Sequence, residues 1–151
     1  MGKKVQWTHP SLGDESNEFE RTSEELDIDM NTLIDAYTKA DLEGLGDDIW
    51  SKLQNSDSYK IKSEEEAKRI AKSYGKDISS ILKALDRGSS IAAPIILILP
   101  DGSPYLMAGN TRLMAARVRK ISPKVLVLRL EENLAKIAAR IAKISSQQLF
   151  G

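Results

Sequence analysis

The stretch Pro94-Ile95-Ile96-Leu97-Ile98-Leu99-Pro100-Asp101-Gly102-Ser103-Pro104-Tyr105-Leu106-Met107-Ala108-Gly109-Asn110-Thr111-Arg112 decides the fold. Pro94 to Leu99 is an apolar, β-branched run, the pattern of a strand buried on both faces. Pro100-Asp101-Gly102-Ser103 reads as a tight turn, in which proline presets φ and glycine supplies a positive φ. Tyr105 to Ala108 returns as the partner strand. Gly109 and Asn110 end it and open a helix from Thr111 to Ile121, with Met114, Val118 and Ile121 toward the core. Ser122-Pro123 stops that helix, and Lys124 to Leu130 is a further strand.

Upstream, the period is helical. Ser63-Glu64-Glu65-Glu66 is a capping box, with the Ser63 hydroxyl placed for the Glu66 amide and the Glu66 carboxylate able to reach back. Ala67, Ile70, Ala71 and Tyr74 continue that helix to Gly75. Asp77 caps the next one, where Ile78, Ile81, Leu82 and Leu85 recur at helical spacing before Gly88. The three glutamates are explained by the helix dipole rather than as a metal cluster. Leu33, Ile34, Tyr37 and Leu42 mark an earlier helix from Asn31, interrupted by Gly44 and Gly46. Asp47 or Asp48 caps a short helix carrying Ile49, Trp50 and Leu53, and Tyr59-Lys60-Ile61 reads as a short strand. Residues 1–27 are polar and acidic, and Val5, Trp7, Leu12 and Phe19 follow no period, so a flexible leader is expected there. Downstream, Leu134, Ile137, Ile141 and Ile144 make an amphipathic helix over about 131–148, a candidate surface for a homodimer.

Composition narrows the chemistry. The chain has 151 residues, 41% hydrophobic and 29% charged, enough for one globular domain without staples. It has no cysteine and a single histidine, His9, which excludes disulfides, thiol nucleophiles, histidine triads and multi-histidine metal centres. The longest apolar run falls far short of the ~20 residues that span a bilayer. No signal peptide is visible, so a cytoplasmic protein without a membrane partner is expected. The net charge of zero hides a split: residues 1–66 carry 17 acidic and 7 basic side chains, residues 67–151 carry 5 and 15. Such asymmetry points to an anionic partner for the basic half, or to the acidic half covering it.

A strand, a glycine turn and a helix start are a geometry for holding phosphate. The first helical amides lack intrahelical acceptors, and the dipole adds positive potential. Gly109 allows close approach, Asn110 is a good cap, Thr111 offers a hydroxyl, and Arg112 brings a forked guanidinium. Arg117, Arg119 and Lys120 extend a basic surface beyond it.

The order Ile78-Ser79-Ser80-Ile81-Leu82, Pro94-Ile95-Ile96-Leu97-Ile98, Tyr105-Leu106-Met107-Ala108-Gly109-Asn110-Thr111-Arg112-Leu113-Met114-Ala115-Ala116, Val125-Leu126-Val127 resembles the ParB N-terminal/sulfiredoxin-like family. That family's pattern is a helix, a P-I-x-V strand, a short turn, and a strand ending in G-x-x-R-x-x-A-A. The resemblance covers about residues 78–130. It implies a small α+β domain, a mixed sheet with flanking helices, here spanning 28–151 with a helical accessory region at 28–62, a core at 63–130 and the C-terminal helix. It also implies nucleotide-phosphate contacts at Gly109, Asn110, Thr111 and Arg112, with Thr111 and Arg112 in any catalytic role. The implied ligands are ATP, ADP or CTP with Mg2+, although no residue is assigned to the metal.

The departures from the family matter equally. Thr111 stands in the region of the sulfiredoxin cysteine, which excludes peroxiredoxin repair. No clear copy of the Glu-Asn-x-x-Arg-like segment of ParB is present, and the residues after Leu130 are too few for its helix-turn-helix domain. The turn is closer to the ADP-dependent serine kinases of this fold, with Thr-Arg after the glycine. The leading expectation is therefore a nucleotide-binding protein that hydrolyses or transfers a phosphoryl group, an NTPase or phosphotransferase. Such chemistry needs a carboxylate, for which Asp101, Glu64 and Asp77 are candidates. One alternative is a DNA-associated binding or nuclease module using Arg117, Arg119 and Lys120. Another is a non-catalytic interaction protein.

Overall fold

The computed structural model describes residues 4–130. In chain order these form β1 (Gln6–Thr8), α1 (Ser16–Leu26), α2 (Met30–Lys39), β2 (Leu42–Gly44), α3 (Asp47–Trp50), a 3-10 turn (Ser58–Lys60), α4 (Glu64–Ser73), α5 (Ser79–Arg87), β3 (Ser90–Ala92), β4 (Ile95–Ile98), β5 (Pro104–Ala108), α6 (Asn110–Val118) and β6 (Lys124–Arg129). This is a mixed α+β arrangement with two sheets. The expected helix at 131–148, and the dimer contact assigned to it, lie outside the described residues. Among the described residues, no helix is long and apolar enough to cross a membrane.

The proline-bounded run becomes β4, the second-from-edge strand of a sheet ordered β2-β6-β4-β5. Its Ile95, Ile96 and Leu97 are fully buried. β5 pairs with it antiparallel through the Pro100–Ser103 turn, and β6 pairs with it parallel. Parallel neighbours need a long crossover, and here β5 and α6 supply it. Side-chain alternation then divides the core. Ile95, Leu97, Met107, Leu126 and Leu128 meet Phe19 of α1 and Leu33 and Ala36 of α2. Ile96, Leu106, Val125 and Val127 meet Trp50, Leu53, Leu113 and Ala116 on the other side.

α6 is buried from two directions. Leu113 and Ala116 face the sheet, whereas Met114 and Ala115 pack against Ala67 and Ala71 of α4 and Leu82 and Leu85 of α5. All four consecutive residues, Leu113 to Ala116, are at 0% exposure, because a helix with neighbours on both sides is apolar all round. The alanines let the flanking backbones come close. The Ser63 half of the capping box forms, with the Glu66 amide donating to Ser63 Oγ at 3.1 Å, whereas the Glu66 carboxylate reaches one residue further back and accepts the Lys62 amide at 3.3 Å.

Residues 4–27 are built into the fold rather than forming a flexible leader. β1 pairs in parallel with β3, setting Trp7 beside Ile91. Phe19 is fully buried and meets the Tyr37 ring edge-on at 5.7 Å. Tyr37 also donates to the Pro10 carbonyl at 2.7 Å. The apolar residues here serve separate partners, a strand, a sheet face and a helix, so no single period betrays them. Other short elements also differ from expectation. Leu42 starts β2 instead of extending α2, Tyr59 lies in the 3-10 turn instead of a strand, and Gly46 rather than Asp47 or Asp48 precedes α3. Three-residue elements carry too little pattern for periodicity to settle.

Candidate functional site

The site is built around Gly109, which joins β5 to α6. A register shift between Ile95 and Ile96 places Ala108 opposite Ile95 at the end of β5. Such bulges re-aim a chain. Gly109 then adopts φ +102 and ψ 23, in the left-handed region. A Cβ at this position would lie 2.6 Å from Pro94 Cβ and 2.8 Å from Pro94 Cα. The turn therefore needs glycine twice over, for its backbone angle and for its approach to Pro94, the residue before β4.

α6 starts without a side-chain cap. Asn110 does not serve as one. Its amide is held by the segment after α3: Nδ2 donates to Asp57 Oδ1 at 3.1 Å, and Oδ1 accepts from Ser56 Oγ at 2.7 Å. Ser56 and Ser58 hydroxyls are 2.6 Å apart, Trp50 Nε1 donates to Ser58 Oγ at 2.8 Å, and the Tyr74 hydroxyl donates to Asp57 Oδ2 at 3.3 Å. Asn55 fastens the same segment to the sheet edge, donating to the Leu106 carbonyl at 2.8 Å and accepting the Leu106 amide at 3.0 Å. A side-chain amide thus imitates a neighbouring strand along β5. These bonds hold Asn110 aside, so the first-turn amides of α6 keep their donors for another acceptor.

Thr111 is half-buried and its hydroxyl has no protein partner among the described residues. Arg112 is engaged. Its Nη1 donates to the Ala92 and Ala93 carbonyls at 2.7 and 3.2 Å, and its Nη2 to Glu15 Oε1 at 3.2 Å. The ion pair is nearly enclosed, with side-chain exposures of 16% for Arg112 and 13% for Glu15. A guanidinium carries five N–H donors, so the Nε proton and one Nη2 proton remain.

Gly109 to Arg112 open onto a cleft of about 1000 Å³. Lys76, Asp77 and Ser80 line it from the α4–α5 side, and Asp14, Glu15, Glu18, Arg21 and Glu25 from the α1 side. Ser79 donates its amide to Asp77 Oδ1 at 2.9 Å, which holds that carboxyl below its ordinary range. At the far end, Tyr105 donates its hydroxyl to Glu25. Burial first, and this bond second, push the phenol up to about 12. Of the three carboxylates considered from sequence, Asp77 alone lines this cleft. Asp101 folds back onto Ser103 at the hairpin tip, and Glu64 pairs with Arg119 at 2.7 Å. Among the described residues, no group of three or more acidic or histidine side chains is placed to hold a metal. The carboxylates of α1, which lay in the supposed leader, are the site residues that sequence reasoning missed. Acidic residues without a period gave no signal of their position.

The basic trio is not brought together as one free face. Arg119 is gripped by Asp86 at 2.7 and 3.1 Å and by Glu64, and these bonds raise its pKa further. The Arg117 guanidinium lies 4.2 Å from the Tyr59 ring centroid and 5.5 Å from that of Trp50. Lys120 is exposed, with φ +55. Ion pairs from Glu15, Glu43 and Glu64 to Arg112, Arg129 and Arg119 join the acidic half of the chain to the basic half. The acidic half covers the basic one at these points.

The Glu43 and Glu64 pairs set an acid dependence. Arg129 bonds first lower the Glu43 pKa, and the Arg119 bond first lowers that of Glu64. Their folded values lie below the unfolded ones, so this stabilisation is present above the ordinary carboxylate range and disappears as pH falls through the depressed values. Urea midpoints measured downward from pH 6 are expected to fall, and less steeply in Glu43→Gln, which has no carboxyl there to protonate. An equal slope in the two proteins would remove Glu43 from the acid response.

Comparison with known proteins adds no relative: no family model, curated protein or solved structure matches the chain.

Proposed function

We propose that the protein binds a nucleoside di- or triphosphate, with its phosphates at the Gly109–Arg112 turn, as a ParB/sulfiredoxin-like domain would. The observation that carries this reading is the start of α6, which no side chain caps among the described residues and which opens on a cleft of about 1000 Å³. Helix-start amides and the dipole attract phosphate oxygens, Thr111 adds a hydroxyl without a protein partner among the described residues, and Arg112 adds its guanidinium. The donors at the turn fit a phosphate chain, and Arg21 and Lys76 are the other cations in a cleft that also carries Asp14, Glu15, Glu18, Glu25 and Asp77. Mg2+ is commonly held by one or two carboxylates together with substrate phosphates, and Asp77, kept ionised by the Ser79 amide, is the residue suited to that role. Phosphoryl hydrolysis or transfer is the reaction class proposed for this site, and release of inorganic phosphate from a bound triphosphate is its direct assay. Arg112, held on two carbonyls, is a rigid ligand for phosphate oxygens rather than a mobile finger.

The deciding test separates the ligand from the fold. ATP, ADP, CTP and GTP, each with and without Mg2+, are expected to include at least one that raises Tm, since a ligand of the native state alone stabilises it. Thr111→Asp should abolish that shift. A carboxylate on the first turn favours the helix by about 0.3–1 kcal/mol, yet repels phosphate from the same amides. A Thr111→Asp protein that is folded and still responds to nucleotide would move the site elsewhere, and a panel with no response would overturn the reading.

A further inference from the structure

We propose that Glu15 is a built-in carboxylate occupant of the phosphate site, which an incoming anion must displace from Arg112. This rests on the phosphate-binding reading of the α6 turn and adds a regulatory element to it. Arg112 is fixed from one side by the Ala92 and Ala93 carbonyls, so its position does not depend on Glu15. Glu15 supplies the negative charge that a nearly enclosed guanidinium requires. It belongs to a different element, 97 positions away in the chain, and both side chains line the same cleft as Gly109 and Thr111.

The mobility required is small. The backbone of Glu15 is anchored at the start of α1: its amide donates to the Ser11 carbonyl at 3.2 Å, and its own carbonyl accepts the Glu18 and Phe19 amides at 3.0 and 3.1 Å. A rotamer change of Glu15 alone would release Arg112, and α1 with its buried Phe19 stays in place. The Glu15 side chain makes no cap bond to α1 that would oppose such a swing. A phosphate oxygen replacing the carboxylate preserves the charge pairing of Arg112 and gains the α6 amides. A tethered carboxylate competes as if present at high local concentration, so a simple monocarboxylate in solution would not displace it. The ligand selected is one whose phosphate contacts Arg112 and the helix start together.

Calorimetry with inorganic pyrophosphate as the probe tests this on the full chain. If Glu15 occupies Arg112 about nine-tenths of the time, its removal strengthens apparent binding about tenfold. Glu15→Gln is therefore expected to bind pyrophosphate about tenfold more tightly than the parent, and acetate is expected not to compete in the parent. Binding by the parent with equal or weaker binding by Glu15→Gln would overturn the displacement proposal while leaving the phosphate site standing. Binding by neither folded protein would overturn both. Should Glu15→Gln not fold, as judged by circular dichroism, Glu15→Asp takes its place. That variant keeps the charge but shortens the reach to Arg112, so tighter binding is again expected and unchanged affinity refutes the proposal.

Discussion

Gly109→Val is expected to leave little or no folded protein at 37 °C. The left-handed backbone at φ +102 is costly for a β-branched residue, of order 1–3 kcal/mol. The new Cβ would also lie 2.6 and 2.8 Å from Pro94 Cβ and Cα. Proline is rigid, and its carbonyl accepts the Leu126 amide at 2.8 Å, where β4 meets β6. It cannot yield without disturbing the parallel pairing, so overpacking adds about 1–3 kcal/mol. The combined cost, about 2–6 kcal/mol, reaches the lower end of the whole stability of an ordinary domain, about 5–15 kcal/mol. Denaturant titration measures it directly, with Gly109→Ala as the milder companion. A Gly109→Val protein as stable as the parent would contradict the close approach to Pro94. This glycine is required by packing whether or not phosphate binds, so stability at position 109 cannot report on the ligand. That is why Thr111→Asp serves as the test of binding.

The second large effect is expected at Phe19. Its side chain is fully buried among Leu33, Ala36, Ile95, Leu97 and Met107 on the sheet face covered by α1 and α2. Phe19→Ala should cost about 3–5 kcal/mol, through lost burial and the cavity left behind. Deleting residues 1–27 should cost more still, since it also removes β1, exposes the sheet face under α1 and leaves Arg112 without Glu15. Thermal unfolding of the two variants beside the parent decides this. A deletion protein that melts with the parent would show that α1 does not contribute to the core. The result bears on the proposed site as well, because α1 and the Glu15 that precedes it form one wall of the cleft, with Glu18, Arg21 and Glu25 on the helix itself.

The sequence by itself determined the centre of the fold. The apolar run ending in Pro100-Asp101-Gly102-Ser103 could become only a buried strand and a tight turn. The caps at Ser63 and Gly88 are local chemistry that needs no distant partner: Ser63 accepts an amide from its own helix, and Gly88 takes φ +70. The glycine turn before a helix, with Thr111 and Arg112 behind it, was legible for the same reason. Tertiary structure decided what those groups face. Asn110 reads as a helix cap, but the Ser56 and Asp57 side chains, more than 50 positions earlier, draw its amide away. Arg112 reads as a phosphate ligand on the first turn, but two carbonyls and Glu15 already enclose it. Residues 4–27 read as a tail because Trp7 and Phe19 pack on surfaces that exist only after β3, β4 and β5 have assembled. Periodicity reports a face shared by neighbours in one element. It carries no information about a single side chain whose partner lies at the far end of the chain, and the Asn110 and Arg112 contacts with Ser56, Asp57 and Glu15 are such pairs.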